Sequence, residues 1–293
     1  MKHKKVTILG GDLRQATVAR VFVDKGLAVH VYGIEREALP KECVVHSDWK
    51  SAVKNTACLI LPLPISLDGK RVNLPMLEGG APQLCEVFSE LPSDALVLGG
   101  KIGSQQKKLI EAYGLGVADY FESEALQEAN ALPTAEGAVQ ILMREMPRVI
   151  SGMPIAVTGY GRVSRALVKL LLAMGADVCV FARKESDRAS AKALGAAALS
   201  FESEEFRKME NRFAAIFNTV PAEIFTKEIL KEIDTHALLI DLASAPGGFD
   251  HAVSTMGFHT IYALSLPGKY APVTAGELIA DVLLDIMKKE GLL

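Results

Sequence analysis

Short apolar runs punctuate the first part of the chain at Val6 to Leu9, Leu27 to Tyr32, Ala57 to Leu63 and Ala95 to Leu98, with amphipathic stretches between them. Strand-length runs separated by helical spacers predict a parallel α/β sheet. The pattern resumes at Pro154 to Thr158, Asp177 to Phe181, Ala214 to Asn218, Ala237 to Asp241 and Thr260 to Ala263. Two α/β units in tandem are the simplest architecture. Between them, from Pro133 to Pro147, Val139, Leu142, Met143 and Met146 recur at helical spacing. Thr134 suits the cap of that helix and Glu136 its first turn. A final helix over Ala275 to Lys289 sets Ile279, Val282, Leu283, Ile286 and Met287 on one stripe. That stripe needs an apolar partner, which the first unit would supply. The expected domains are therefore residues 1–133 with 275–293, and residues 134–274.

Composition narrows the class. At 293 residues and 49% hydrophobic content the chain buries a large core, which excludes disorder. Its 32 Lys and Arg stand against 35 Asp and Glu, without a run of like charge, so neither a nucleic acid nor a membrane surface is an expected partner. No stretch approaches the roughly 20 apolar residues of a membrane span. The apolar run at the N-terminus is too brief for a signal peptide. Cys43, Cys58, Cys85 and Cys179 form no CxxC pair and read as reduced core thiols of a cytoplasmic protein. The six histidines show no metal-binding spacing, and no G-x-S-x-G elbow is present.

The sharpest motif is the strand Pro154 to Thr158 running into Gly159-Tyr160-Gly161-Arg162-Val163-Ser164 and then into a helix. Gly159 would make the tight turn. Gly161 would let the backbone approach a pyrophosphate, and the N–H groups of Arg162, Val163 and Ser164 would offer the positive end of the helix. Ser164 stands where a third glycine is usual, a small residue in a position that demands close packing. The strand that follows ends in Arg183-Lys184 rather than in an acid. A carboxylate there would bond the ribose of NAD, whereas a guanidinium and an ammonium suit the 2′-phosphate of NADP. Glu185 and Asp187 could instead pair with Arg183 and leave it a surface ion. Two further strand ends, Asn218-Thr219-Val220-Pro221 and Asp241-Leu242-Ala243, would border the same nucleotide, because ligands of open parallel sheets bind outside the carboxyl ends of the strands.

Several strings in order identify a family. ILGGDLRQ at 8–15, LPLP at 61–64, LPTAEG at 132–137, GYGRVS at 159–164, FAR at 181–183, NTVP at 218–221, DLASAPGG at 241–248 and LPGKYAPVTAG at 266–276 resemble the dipicolinate synthase A subunit of spore-forming bacteria, end to end. The resemblance implies a Rossmann or flavodoxin-like substrate domain joined to an NADP-binding Rossmann domain, in a layout similar to 2-hydroxyacid dehydrogenases. It implies oxidation of a cyclic dicarboxylate precursor to pyridine-2,6-dicarboxylate in the mother-cell cytoplasm. The implied partner is the flavoprotein-like B subunit of the synthase, and further copies of the chain are expected as well.

Such chemistry needs a hydride acceptor, a base and cations for two carboxylates. Arg14, just past Gly10-Gly11-Asp12, is the expected carboxylate ligand. Thr134 and Glu136, opening the helix between the domains, are expected at the substrate, with Glu136 as base or as the residue that orients one. Lys269, Tyr270 and Ser66 are further candidates for closing on the substrate. Two alternatives stay open: a 2-hydroxyacid dehydrogenase-like enzyme, for which the stretch near Ser265 lacks the usual histidine, and an NADP-sensing module without turnover.

Overall fold

The computed structural model describes residues 4–77, 79–209 and 212–293. It divides into two compact units, one of Met1–Asn130 with Ala271–Leu293 and one of Ala131–Tyr270. These limits fall at 130/131 and 270/271 rather than at 133/134 and 274/275. The reason is local: the helix Ala131–Glu145 already contains Pro133, and Pro272 opens the last helix, Pro272–Lys289. Proline is at home in a first turn, where its missing N–H has no acceptor to lose. Thr134 therefore lies inside its helix, not at the cap predicted for it.

The first unit is a six-stranded sheet of β1 (Val6–Leu9), β2 (Val29–Tyr32), β3 (Val44–Val45), β4 (Cys58–Ile60), β5 (Leu96–Gly99) and β6 (Gly116–Asp119), in the order β3-β2-β1-β4-β5-β6. The second repeats the plan with β7 (Pro154–Thr158), β8 (Asp177–Phe181), β9 (Ala197–Leu199), β10 (Ala215–Asn218), β11 (Leu238–Asp241) and β12 (His259–Tyr262), ordered β12-β11-β10-β7-β8-β9. Every strand pair is parallel. Both orders are the 3-2-1-4-5-6 arrangement of the doubly wound Rossmann fold. Strands β3, β6 and β9, which the apolar pattern did not predict, are all edge strands. Two of them, Val44–Val45 and Ala197–Leu199, are only two and three residues long, and Gly116–Asp119 sets a glycine and an aspartate around its apolar residues, so none reads as an apolar run of strand length.

In the first unit Val6, Ile8, Val31 and Ile60 face one core layer, with Phe22 from the helix Leu13–Asp24 and Ile279, Leu283 and Met287 from the last helix. Leu9, Leu59 and Val97 face the other, against Val53, Phe88 and Ile110. Gly276 permits the close crossing of the two helices, since a Cβ there would stand 2.5 Å from Thr17 Cβ and 2.6 Å from the Arg14 carbonyl oxygen. The second unit packs Ile155, Val157, Val180 and Phe217 against the helices Ala131–Glu145 and Arg162–Ala173. Its other face gathers Phe181, Phe206, Phe213, Phe225 and Phe249. Among the described residues no helix is long and apolar enough to cross a membrane.

At the edge of the first sheet, His30 Nδ1 and His46 Nε2 stand 2.8 Å apart. Burial, the Lys5 ammonium and His46 hold His30 down to about 4, and burial and Lys5 also lower His46. Because the folded state prefers both rings neutral, their contribution is complete above the ordinary histidine range and is lost as the pH falls from about 6.5 toward 4. Thermal unfolding followed over that window should show a falling Tm, and His30→Asn should flatten the slope. Independently, Gly276→Val should destabilise the first unit by about 1–3 kcal/mol in urea unfolding, through the overlap with Thr17 and Arg14.

Candidate functional site

The turn after β7 has the geometry that a pyrophosphate requires. Gly159 takes a φ of +86°, and its N–H donates to the carbonyl of Phe181 at 2.8 Å. A side chain there would collide with Thr219, whose Oγ1 lies 2.5 Å from the position of a Cβ. Gly161 caps the helix Arg162–Ala173 without a side-chain acceptor, and a Cβ on it would meet nothing within 4 Å. The space in front of that helix start is open, and the N–H groups of its first turn have no intrahelical acceptor. Ser164 is fully buried and donates from Oγ to the Gly161 carbonyl at 3.2 Å, so the position tolerates serine because the hydroxyl finds a partner inside the turn.

At the end of β8, Arg183 and Lys184 are exposed and make no ion pair with Glu185 or Asp187 among the described residues. The surface-pair reading of Arg183 is therefore not realised. Sequence reasoning missed Arg188, whose Nη1 donates to the carbonyls of Ala182 and Arg183 at 2.9 and 2.7 Å. Its signal was its place four residues after Lys184, which returns it to the same side of the helix Glu185–Ala193.

The strand ends of β10 and β11 behave differently from expectation. Asn218 is fully buried, and its amide is completely engaged: Oδ1 accepts from Thr158 Oγ1 at 2.8 Å and from the Val220 N–H at 3.1 Å, while Nδ2 donates to Asp241 at 2.8 Å and to the Val220 carbonyl at 3.0 Å. Asp241, equally buried, accepts also from the Ala243 N–H at 3.0 Å and the Gly248 N–H at 2.8 Å. An amide with two donors and two acceptors has no capacity left for a ligand. Asn218 and Asp241 thus hold the strand ends together and do not reach outward, a correction to their reading as nucleotide contacts. The Ala243 N–H is likewise taken up by Asp241. Thr219 donates its hydroxyl to the Thr158 carbonyl at 2.7 Å, and Val220 and Pro221 follow at the surface of the turn.

In the first unit the helix start that corresponds to Gly161 is Asp12, whose carboxylate accepts from the Arg14 N–H at 3.0 Å. Gly10 and Gly11 have φ of +79° and +99°, but a Cβ on Gly10 would meet the Asn73 carbonyl at 2.7 Å, and one on Gly11 would meet Gln15 Oε1 at 2.4 Å. A Cβ on Gly33, just past β2, would lie 2.0 Å from Leu74 Cδ2. Arg14 is buried there and already paired: Nε and Nη2 form a fork on Asp12 at 2.9 and 2.8 Å, and Nη2 also reaches the Leu63 carbonyl at 2.8 Å. The expectation of an open carboxylate ligand is corrected accordingly, because most of its donors are occupied by the carboxylate that caps its own helix. Lys101, which no pattern announced, stands in the left-handed region at φ +54° after β5, where Asp119 accepts from its N–H at 3.1 Å and from that of Ile102 at 2.7 Å.

Glu136 is exposed and lines an apolar groove of about 460 Å³ with Val139, Met143, Leu170 and Met174. Leu170, on the other wall of that groove, lies roughly 12 Å of helix from Arg162 at the glycine turn. Thr134 is half-buried within the same helix. Tyr270 closes a short helix, Leu266–Tyr270, that packs on Gly137, where a Cβ would come within 2.9 Å of the Tyr270 ring. Its hydroxyl accepts from Arg144 at 3.3 Å, so it is packed rather than poised in a mobile turn. Ser66 donates to Asp68 at 3.0 Å.

A doubly wound parallel sheet with a glycine turn before its first crossover helix defines a Rossmann-type α/β fold. Residues 5–121 match the family described as the N-terminal domain of the dipicolinate synthase A subunit. The dipicolinate synthase A subunit of Bacillus subtilis (strain 168) is 25% identical over 304 residues, covering 98% of this chain and 98% of its own. The crystal structure of the dipicolinate synthase A subunit from Bacillus halodurans superposes with a TM-score of 0.86 at 24% identity, covering 97% of this chain and 98% of that one. A transhydrogenase from Sinorhizobium meliloti shares the fold at a TM-score of 0.73 and 14% identity, covering 97% and 94%. Residues 5–121 thus match the N-terminal domain of that family, and the chain is similar to the dipicolinate synthase A subunit over nearly its whole length.

Asn218→Ala should strand buried groups on Thr158, Val220 and Asp241 and lower the stability of the second unit by about 1–3 kcal/mol in denaturant unfolding. An unchanged midpoint would show that the amide does not hold the strand ends.

Proposed function

We propose that the chain is the NADP-dependent oxidoreductase subunit of a dipicolinate synthase, forming pyridine-2,6-dicarboxylate from a hydroxy-tetrahydrodipicolinate or dihydrodipicolinate precursor. The observation that carries the nucleotide half of this reading is the contrast between the two glycine turns. In the second unit the helix starts at Gly161, where a Cβ would meet nothing within 4 Å, whereas at the equivalent helix start of the first unit the Asp12 carboxylate already accepts from the Arg14 N–H. Gly159 and Gly161 would let the backbone reach the pyrophosphate, and the N–H groups of Arg162, Val163 and Ser164 would bond it. Arg183 and Lys184 would take the ribose 2′-phosphate, for which their lack of acidic partners supports NADP over NAD. Thr219, Val220 and Pro221 would border the nicotinamide ribose, on the base built by Asn218, Asp241 and Ala243. When bound, the nicotinamide supplies a hydride acceptor.

For the substrate the reading rests on the family resemblance, since Arg14 is forked on Asp12 and bonded to the Leu63 carbonyl. The reading includes partnership with a flavoprotein-like B subunit, self-association, and work in the mother-cell cytoplasm. It rests for these on the family and on the name of the Bacillus subtilis relative, which makes that protein one subunit of a synthase.

Calorimetric titration of the purified chain should show saturable binding of NADP+. Arg183→Asp should weaken NADP+ by about tenfold to a hundredfold and leave NAD+ nearly unchanged. Gly161→Val should weaken both nucleotides alike, by filling the approach of the pyrophosphate. Failure of either nucleotide to bind the wild type would remove the proposal. With nucleotide bound, the absence of pyridine-dicarboxylate absorbance when precursor and the B subunit are added would favour a sensing module instead.

A further inference from the structure

The turn after β8 holds a cation beyond the two already assigned. Arg188 is half-buried on the helix Glu185–Ala193, and its Nη1 bridges the carbonyls of Ala182 at 2.9 Å and Arg183 at 2.7 Å. Both carbonyls lie past Phe181, the last residue of β8. A guanidinium is a rigid plane with its N–H groups in fixed directions, so anchoring Nη1 also fixes where Nε and Nη2 point. Neither of those nitrogens has a hydrogen-bond partner among the described residues.

Glu185 and Asp187 occupy the first turn of the same helix and would repel a dianion. Arg183 and Lys184 are exposed, and each must give up side-chain freedom to hold a phosphate against that repulsion. A guanidinium already immobilised by the backbone loses far less.

We propose that Arg188 is the specificity-determining residue of this turn: it locks the backbone of residues 182–184 and offers its Nε and Nη2 N–H groups to a phosphate on the adenosine ribose. The inference rests on the nucleotide reading above and adds to it the residue that enforces the choice. A merely structural brace would weaken every nucleotide equally when lost, so the ratio of two affinities separates the roles.

Arg188→Met should raise the Kd for NADP+ by about tenfold or more while that for NAD+ stays within about threefold, as read by calorimetry on the full chain. Arg188→Lys, which keeps the charge but not the fork, should fall between Met and wild type, and it carries the test alone if the Met variant does not fold. Equal losses for both nucleotides, an unchanged NADP+ affinity, or a wild type that prefers NAD+ would overturn the role of Arg188. A wild type that binds neither nucleotide would overturn the nucleotide reading itself.

Discussion

The buried amide of Asn218 joins the carboxyl ends of β7, β10 and β11 through Thr158, Asp241 and its own following turn, and the geometry of the second unit depends on that junction. Each of these polar groups lies in a dry interior, where an unmade hydrogen bond costs on the order of 1–3 kcal/mol, so one strand end cannot shift without disturbing the others. The surrounding glycines follow from it. Gly248 has no room for a side chain because the Asn218 amide fills it, and Gly247 turns with a φ of +89° to bring the next N–H onto Asp241. Thr219, set by the same junction, lies against Gly159. The glycine turn is thus supported from beneath by groups whose hydrogen bonds are met within the protein.

Two sheets of identical strand order meet opposite ends. In the first unit the segment around Asn73 and Leu74 lies across the glycines after β1 and β2, and Arg14 turns its fork onto the carboxylate that caps its helix. In the second unit the helix start at Gly161 is open, and the strand next to it ends in Arg183 and Lys184, which form no ion pair among the described residues. A fold that supports many activities does not choose among them; the loops laid over the strand ends do, and here they leave one sheet open at its glycine turn and not the other.

The charged residues divide along the same line. A guanidinium forked on a neighbouring carboxylate, as Arg14 is, has little field left to draw a second anion. One anchored on two neutral carbonyls, as Arg188 is, keeps its full charge. Whether an arginine is a ligand or a brace is decided by what its other nitrogens already hold.

The sequence by itself determined the two α/β units, the central strands and the glycine turn, because these rest on local causes. Strands buried on both faces must be apolar along their whole length, and a turn that approaches a phosphate must lack side chains at Gly159 and Gly161. Only the tertiary structure decided the edge strands β3, β6 and β9, which are too short or too mixed to stand out as apolar runs. It alone turned Asn218 and Asp241 inward, paired Arg14 with Asp12, set Glu136 on an apolar groove and brought Arg188 back onto the end of β8. A polar side chain has the same identity in the sequence whether it points to solvent, ligand or protein. Which of the three it meets depends on neighbours far away along the chain, and those are set only when the sheet has closed around them.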